Sequence, residues 1–196
     1  VKENNWLGRG IKLQSELNLS TEKVSGNFTV YNPNYNFSGN AVNAGLDVSS
    51  TDRTAASGFK SSKTGFNLGT SFEQYEDLYF SPEFFAVYED VEVESTASTS
   101  IKKMEGTFHN IDFGYGIAYD KRNQTFQPTE GYKTSFSQTL PLILDSSSIK
   151  NTFAVNAYHD FTDDIIGSLK FYTSTIHGVD EDVRLTNRLF LPSKKL

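Results

Sequence analysis

The sequence has no cysteine and no long apolar run. Its longest wholly apolar stretches are very short, such as residues 140–144. Because a transmembrane helix needs roughly 20 apolar residues, the sequence predicts none. The missing cysteine fits an oxidising envelope compartment, where stray thiols are a liability. The chain begins at Val1 without a signal peptide, which for an exported protein predicts a mature chain or a fragment.

Hydrophobic residues and basic charge are also scarce. Only 37% of the residues are hydrophobic, and the formal net charge of −6 comes with no basic patch. We therefore expect no nucleic-acid partner. The 16 Phe and 10 Tyr residues nevertheless exclude a typical disordered chain. Aromatic richness with low overall hydrophobicity indicates elements that bury one face only.

The dominant pattern is an alternation with period two, which is typical of β-strands. The sharpest case is residues 111–120, where large apolar side chains alternate with Asp, Gly and Ala. No helical period persists over a long window. The register of the segment at 78–93 is unclear, because Phe84, Phe85 and Val87 crowd together. Nine strands are predicted, at residues 11–19, 24–30, 42–49, 65–73, 78–93, 111–120, 132–140, 152–161 and 165–176.

Strand length favours a membrane barrel over a soluble sandwich. Soluble strands are typically about 5–6 residues long, whereas the alternation here often runs for the roughly ten residues that cross a bilayer. Long polar gaps at 50–62, 94–105 and 180–187 contrast with a short gap at 32–36, as in barrels with short periplasmic turns and long outer loops.

Tyrosines at the strand ends provide a second argument for a barrel. Tyr31, Tyr35, Tyr119 and Tyr132 extend the apolar face at the strand ends, where aromatic rings favour the membrane interface. The alternative is a soluble sandwich with these hydroxyls at the rim of its core.

Catalytic and metal-binding patterns are missing. His109, His159 and His177 lie on three separate segments, without the clustering that a zinc site needs. The acidic runs at 89–94 and 180–182 lack the spacing of a calcium loop, and no serine lies in Gly-x-Ser-x-Gly. We therefore predict a non-enzymatic protein with no catalytic, cofactor-binding or metal-binding residues. The acidic runs are expected to be solvated, or bridged by divalent ions to lipopolysaccharide.

Four segments together resemble the BamA family of outer-membrane assembly factors, within the bacterial surface-antigen superfamily. Residues 4–10 resemble its Asn-Trp/Phe-Leu-Gly-x-Gly hairpin, and 32–35 resemble its Glu/Asn-Pro-Tyr turn with Asn34 inserted. Residues 119–131 resemble its Tyr-Asp-x-Arg-Asn…Phe-Pro-Thr-x-Gly junction with Gln127 inserted, and 187–196 resemble the approach to its large inward-folded loop. The matched structural residues are Trp6, Gly8, Gly10, Pro33, Tyr119, Asp120, Arg122, Pro128 and Gly131.

The resemblance implies a place in a larger barrel. Residues 1–196 would form part of a single C-terminal all-β domain, an antiparallel transmembrane β-barrel, and hold about nine of about sixteen strands. The periplasmic domains, the final strands and the seam of the barrel would lie outside this segment. An Arg-Gly-Phe/Tyr motif is expected just after Leu196.

The resemblance also implies a function. The parent protein would fold and insert β-barrel proteins into the bacterial outer membrane. Its partners would be outer-membrane lipids and lipopolysaccharide, unfolded outer-membrane protein clients, and accessory assembly lipoproteins that bind the periplasmic domains. Two alternatives remain: a passive porin or transporter, and a related two-partner secretion translocator.

Each side chain of the 111–120 strand has an expected environment. Phe113, Tyr115 and Ile117 would face lipid, while Asp112 and Asp120 would face the lumen or its rim. Asp120 and Arg122 would form an ion pair that stabilises the turn.

Overall fold

The computed structural model describes residues 1–143, 148–162, 164–179, 182–184 and 187–189. Within them, two short helices and one 3-10 turn lie in the connections, at Thr54–Ser57 (α1), Thr99–Lys102 (α2) and Tyr35–Phe37. The strands are Lys2–Trp6 (β1), Ile11–Leu19 (β2), Lys23–Asn32 (β3), Ala41–Asp52 (β4), Phe59–Tyr75 (β5), Leu78–Val93 (β6), Gly106–Asp120 (β7), Gly131–Ile143 (β8), Ser148–Thr162 (β9) and Ile165–Gly178 (β10).

All these strands belong to one antiparallel sheet in sequential order, β1 to β10. Each strand therefore pairs with its neighbour in the chain, as in an up-and-down barrel wall. The nine predicted strands are confirmed. The prediction missed β1, since Lys2–Trp6 shows no alternation of apolar and polar residues.

The register between strands separates the side chains onto two faces. Leu68, Phe84 and Phe113 lie opposite one another on one face. Asn67, Phe85 and Asp112 do so on the other face. This resolves the unclear segment at 78–93, because its adjacent phenylalanines belong to opposite faces of a continuous strand.

The sheet is a single layer with little core. Among the described residues, the buried hydrophobic side chains are Ala41, Phe59, Val91 and Met104. Many large apolar side chains stay exposed on the face of Phe84, which is itself 53% exposed. A sandwich would cover this face with a second sheet, so the sandwich alternative is excluded. In the described part of the chain, no helix is both long and apolar enough to cross a membrane.

One predicted loop is much shorter than expected. The gap at 50–62 is mostly strand, since β4 continues to Asp52 and β5 starts at Phe59, with Asp52 paired to Lys60. These serine- and threonine-rich strand ends carry polar residues on both faces, which hides them from a search for alternation. The predicted connection at 94–105 is confirmed between β6 and β7. The gap at 180–187 lies largely outside the described residues.

Tyr31 is not on the apolar face. It pairs with Asn43 rather than with the apolar positions of β4, and the Lys12 ammonium lies 5.5 Å from its ring centroid. Its prediction as part of the apolar aromatic belt was wrong, because Tyr31 directly follows Val30 and neighbouring strand residues point to opposite faces.

Candidate functional site

The β1–β2 turn contains Trp6, Gly8 and Gly10. Gly8 and Gly10 have φ values of 69° and 70°, a left-handed conformation that suits glycine. The Gly10 amide donates to Asn5 Oδ1 at 2.6 Å, and the Gly8 amide donates to the Asn5 carbonyl at 3.0 Å. The predicted hairpin is present, with Trp6 as the last residue of β1.

The turn at Pro33 lies at the same end of the sheet. Pro33 follows the last residue of β3, and its neighbour Asn34 organises the connection. The Asn34 side-chain oxygen accepts a hydrogen bond from the Gly39 amide at 2.8 Å. Gly39 has a φ of 79°. An Asn side chain that replaces a backbone partner is a common turn device, so the inserted Asn34 has a local structural role.

The strongest cluster lies at the β7–β8 junction. The Arg122 guanidinium donates Nε to Asp120 Oδ1 and Nη2 to Asp120 Oδ2, both at 2.7 Å. The Lys133 ammonium lies 3.4 Å from Asp120 Oδ2. The predicted Asp120–Arg122 pair is confirmed as a two-point contact, with the Arg122 side chain 14% exposed. Hydrogen bonding to Asp120 raises the pKa of Arg122 above its ordinary value.

The rest of the junction, residues 121–130, is fixed by backbone geometry. Asn123 Oδ1 accepts from the amides of Thr129 and Glu130, at 3.2 and 3.4 Å. Gly131 has a φ of 91°, and a Cβ there would collide with the Lys121 carbonyl oxygen. Gln127, the inserted residue before Pro128, has a φ of 50°, which residues before proline disfavour. Gly131 is thus required here, and Tyr119, Asp120, Arg122 and Pro128 belong to one hydrogen-bonded junction.

The face opposite Phe113 is mostly polar and hydrogen-bonded, although Phe59, Phe85 and Val91 also lie on it. Asn43 and Asn67 both donate to Glu83 Oε1, at 3.0 and 2.6 Å. Asn27 donates to Asp47 Oδ1 at 2.6 Å. A Cβ at Gly114 would lie 2.9 Å from the Phe85 ring, so glycine gives that ring its place.

A cavity shows which way the sheet curves. Its volume is about 370 Å³, and it is lined by Lys63 of β5, Asp112 of β7 and Lys150 of β9, among others. Side chains from β5 and β9 can line one cavity only if this face is concave. Alternation therefore places Phe113, Tyr115 and Ile117 on the convex face, while contact of that face with lipid remains a prediction.

The acidic run at 89–94 departs from its prediction as solvated loop residues at Glu89, whereas Glu92 and Glu94 are exposed. Glu89 lies within β6, is 3% exposed, and pairs in register with Lys63 on the concave face. The strand is longer than a membrane crossing requires, so these acidic residues are paired with the neighbouring strands. The second run, 180–182, falls mostly outside the described residues.

The structure brings no metal-ligating cluster together in the residues it describes. His109, His159 and His177 lie on three different strands, β7, β9 and β10. No group of three His, Cys, Asp or Glu side chains in the described ranges could hold a metal ion. Sequence reasoning missed Lys133 as an Asp120 partner, and only the β7–β8 register could have revealed it.

A curved, single-layer, sequential antiparallel sheet with a polar concave face and an apolar convex face defines the wall of an outer-membrane β-barrel. A family model for the Omp85 superfamily domain matches residues 5–191. The chain therefore belongs to the Omp85 superfamily and forms part of a bacterial outer-membrane protein.

A solved structure shares this fold. The crystal structure of BamA from Haemophilus ducreyi lacking POTRA domains 1–3 matches with a TM-score of 0.70 and 16% identity, over 91% of this chain and 38% of that one. The chain thus spans well under half of the matched BamA chain. No curated protein sequence matches it.

Proposed function

We propose that this chain is barrel wall from an assembly factor that folds and inserts β-barrel proteins into the outer membrane. Membership of the Omp85 superfamily supports this proposal most strongly. The 119–131 junction adds support, since its residues resemble the assembly-factor motif with Gln127 inserted, and the motif residues Asp120 and Arg122 form an ion pair. The expected partners are lipids and lipopolysaccharide, unfolded barrel clients, and accessory lipoproteins bound by periplasmic domains.

In this proposal the convex face contacts lipid and the concave face lines the lumen. The Phe84 and Phe113 rings pack at a tilt of 52° with their centroids 5.1 Å apart on the convex side, where lipid would cover them. On the concave side, the Asn43–Asn67–Glu83 network would meet water. No covalent bond changes in this function. A client strand would be held by β-augmentation at an open strand edge, and the paired strands β2 to β9 would serve as a rigid wall.

A reconstitution assay tests the function. The complete protein is placed in phosphatidylcholine vesicles, and a urea-denatured eight-stranded outer-membrane protein is added. Folding is followed by the shift of the client on an electrophoretic gel, with empty vesicles and vesicles containing a passive porin as controls. Faster folding than in both controls is expected.

The same vesicles separate the alternatives. Rapid sugar-driven swelling without faster client folding would mean a passive porin or transporter. Passage of an unfolded polypeptide into the vesicle interior, without insertion of the client, would mean a secretion translocator.

A further inference from the structure

Two amide side chains interrupt the apolar convex face. Gln138 of β8 pairs in register with Tyr115 of β7 and with Asn151 of β9. All three therefore share the face of Phe113 and Ile117. On β8, Gln138 points to the same face as Phe136, two residues before it. On β9, Asn151 points to the same face as Phe153, two residues after it. Amides at these positions cost free energy in hydrocarbon unless they are hydrogen-bonded.

The amides belong to a hydrogen-bonded chain across four strands, which we name the amide ladder: Tyr115, Gln138, Asn151 and Thr175. The Tyr115 hydroxyl donates to Gln138 Oε1 at 2.9 Å, and Gln138 Nε2 donates to Asn151 Oδ1 at 2.7 Å. Asn151 Nδ2 then reaches Thr175 Oγ1 at 3.4 Å. The ladder thus satisfies each side-chain carbonyl once.

The ladder rises toward the end of the sheet that carries the 94–105 connection. Tyr115 lies well inside β7, whereas Asn151 lies close to the first residue of β9 and Thr175 close to the last residue of β10. Leu140 and Ile149 continue the apolar phase beyond it. On β10, Thr173, Thr175 and His177 follow Phe171 on the convex face, so the apolar band stops early there.

The two amide side chains of the ladder have N–H donors that no described residue of the sheet accepts. A side-chain amide nitrogen carries two N–H donors, and each ladder amide uses one within the described structure. The second donors of Gln138 and Asn151 thus call for acceptors from outside the sheet. On a lipid-covered face near the strand ends, ester carbonyl oxygens are the acceptors at hand.

We propose that the amide ladder binds the acyl-ester groups of the leaflet on the side of the 94–105 connection. This draws the lipid interface inward along β8 to β10. The proposal rests on the proposed orientation in which the convex face contacts lipid. A protein that covers the ladder is a different outcome, which the test below separates.

Two positions allow a matched comparison of depth. A line of directly paired residues crosses the strands from Thr173 of β10 to Phe80 of β6. The residues between them are Phe153, Phe136 and Ile117. Because the strands are about 4.8 Å apart and tilted by about 45°, this line climbs relative to the membrane plane. Over the four strand spacings from β6 to β10, the climb equals roughly six residues along a strand. Ala86 of β6 then lies at the same height as Thr173, and both are convex. Without lipid binding by the ladder, probes at the two positions would report equal depth.

The experiment places one cysteine at either position of the complete protein, since residues 1–196 contain none. Each is labelled with a fluorophore in dioleoylphosphatidylcholine vesicles, and quenching by headgroup and acyl-chain nitroxide lipids gives its depth. The probe at 173 should be shallower than that at 86 by at least ~3 Å, the rise of one strand residue. Gln138→Leu with Asn151→Leu should move it deeper by a similar amount. Asn156→Leu, on the concave face of β9, should leave it unchanged.

Each other result has a defined meaning. Equal depths of the probes at 173 and 86, with Gln138 and Asn151 both present, overturn the proposal. This comparison tests the proposal even if the double variant fails to insert. An unchanged depth in an inserted double variant overturns it too. Quenching at 86 but not at 173 means that protein, not lipid, covers the ladder. Quenching at neither position contradicts the lipid-facing orientation itself, and so the proposed function rather than the ladder.

Discussion

The convex faces of β4–β7 and β8–β10 follow the same alternation but differ in composition. On β4–β7, Leu68, Phe84 and Phe113 form a continuous apolar row, with two rings 5.1 Å apart. On β8–β10, the amides of Gln138 and Asn151 interrupt the rings. Alternation thus decides which face a residue occupies, whereas residue identity decides how far the apolar band extends along the strands.

The β7–β8 junction joins these two walls. Its charged pair and its left-handed glycine hold β8 in register with β7, from Asp120–Lys133 upward. Damage at the junction should therefore affect both walls, whereas damage on one face should depend on the wall that carries it. Each change in stability is a change in the free energy of unfolding of the complete protein, measured by urea titration in phosphatidylcholine vesicles.

The largest effect is expected at the junction. Gly131→Val should destabilise the protein by at least about 3 kcal/mol, because the new side chain combines a left-handed φ with overlap on the Lys121 carbonyl. Gly26→Ala is the matched control, since nothing lies within 4 Å of its added Cβ, and it should change stability by less than about 0.5 kcal/mol. Similar losses in both variants would show that the junction is not rigid.

The two walls should differ in how well they tolerate a charge on the convex face. Phe113→Arg should cost about 2–4 kcal/mol, the range for a cation near the middle of the bilayer. Thr175→Arg, near the end of β10, should cost about 0–1 kcal/mol, the range near an interface. A charge tolerated equally well at both positions would remove the difference between the walls.

A smaller loss of stability is expected when the Asp120–Arg122 ion pair is broken. Arg122→Gln should cost about 1–2 kcal/mol, because the partly buried Asp120 carboxylate loses two charge-assisted hydrogen bonds while Lys133 remains. Lys121→Gln is the control, since its ion pair with Asp77 is more exposed, at 43% and 32%. It should cost less than Arg122→Gln. The reverse order would mean that Asp77, not Asp120, anchors the junction.

The smallest effect concerns the inserted residue. Gln127→Gly should stabilise the protein by about 0.5 kcal/mol, because glycine adopts the φ of 50° without a Cβ penalty but loses more chain entropy on folding. A loss of stability would show that the Gln127 side chain makes a contribution larger than this strain.

Much of the fold could be predicted from the sequence because the strands of a barrel wall repeat the same alternation of apolar and polar residues. Alternation located nine strands, but β1 has too little apolar character to reveal itself. The ends of β4 and β5 escaped for another reason, since both their faces are polar. Tyr31 was misplaced although it directly follows Val30 and so falls in the polar phase of β3. Glu89 was misplaced because alternation does not show how deeply a concave face buries a residue.

The junction was predicted less completely. Asp120 and Arg122 are two residues apart, so their pairing is visible in the sequence. Lys133 comes from the next strand, and its contact with Asp120 depends on a register that no local pattern specifies. The amide ladder was missed for the same reason, because Gln138 and Asn151 become neighbours only once β8 and β9 are aligned.

The most direct test of the two-faced wall is a nitroxide scan of β7 from 110 to 117, one cysteine at a time, in the complete membrane-inserted protein. Spin-label collisions are measured with oxygen, which concentrates in lipid, and with a water-soluble nickel chelate. A lipid-facing convex side predicts high oxygen accessibility at positions 111, 113, 115 and 117 and high nickel accessibility at 110, 112, 114 and 116. The opposite phase, or no alternation, would contradict it.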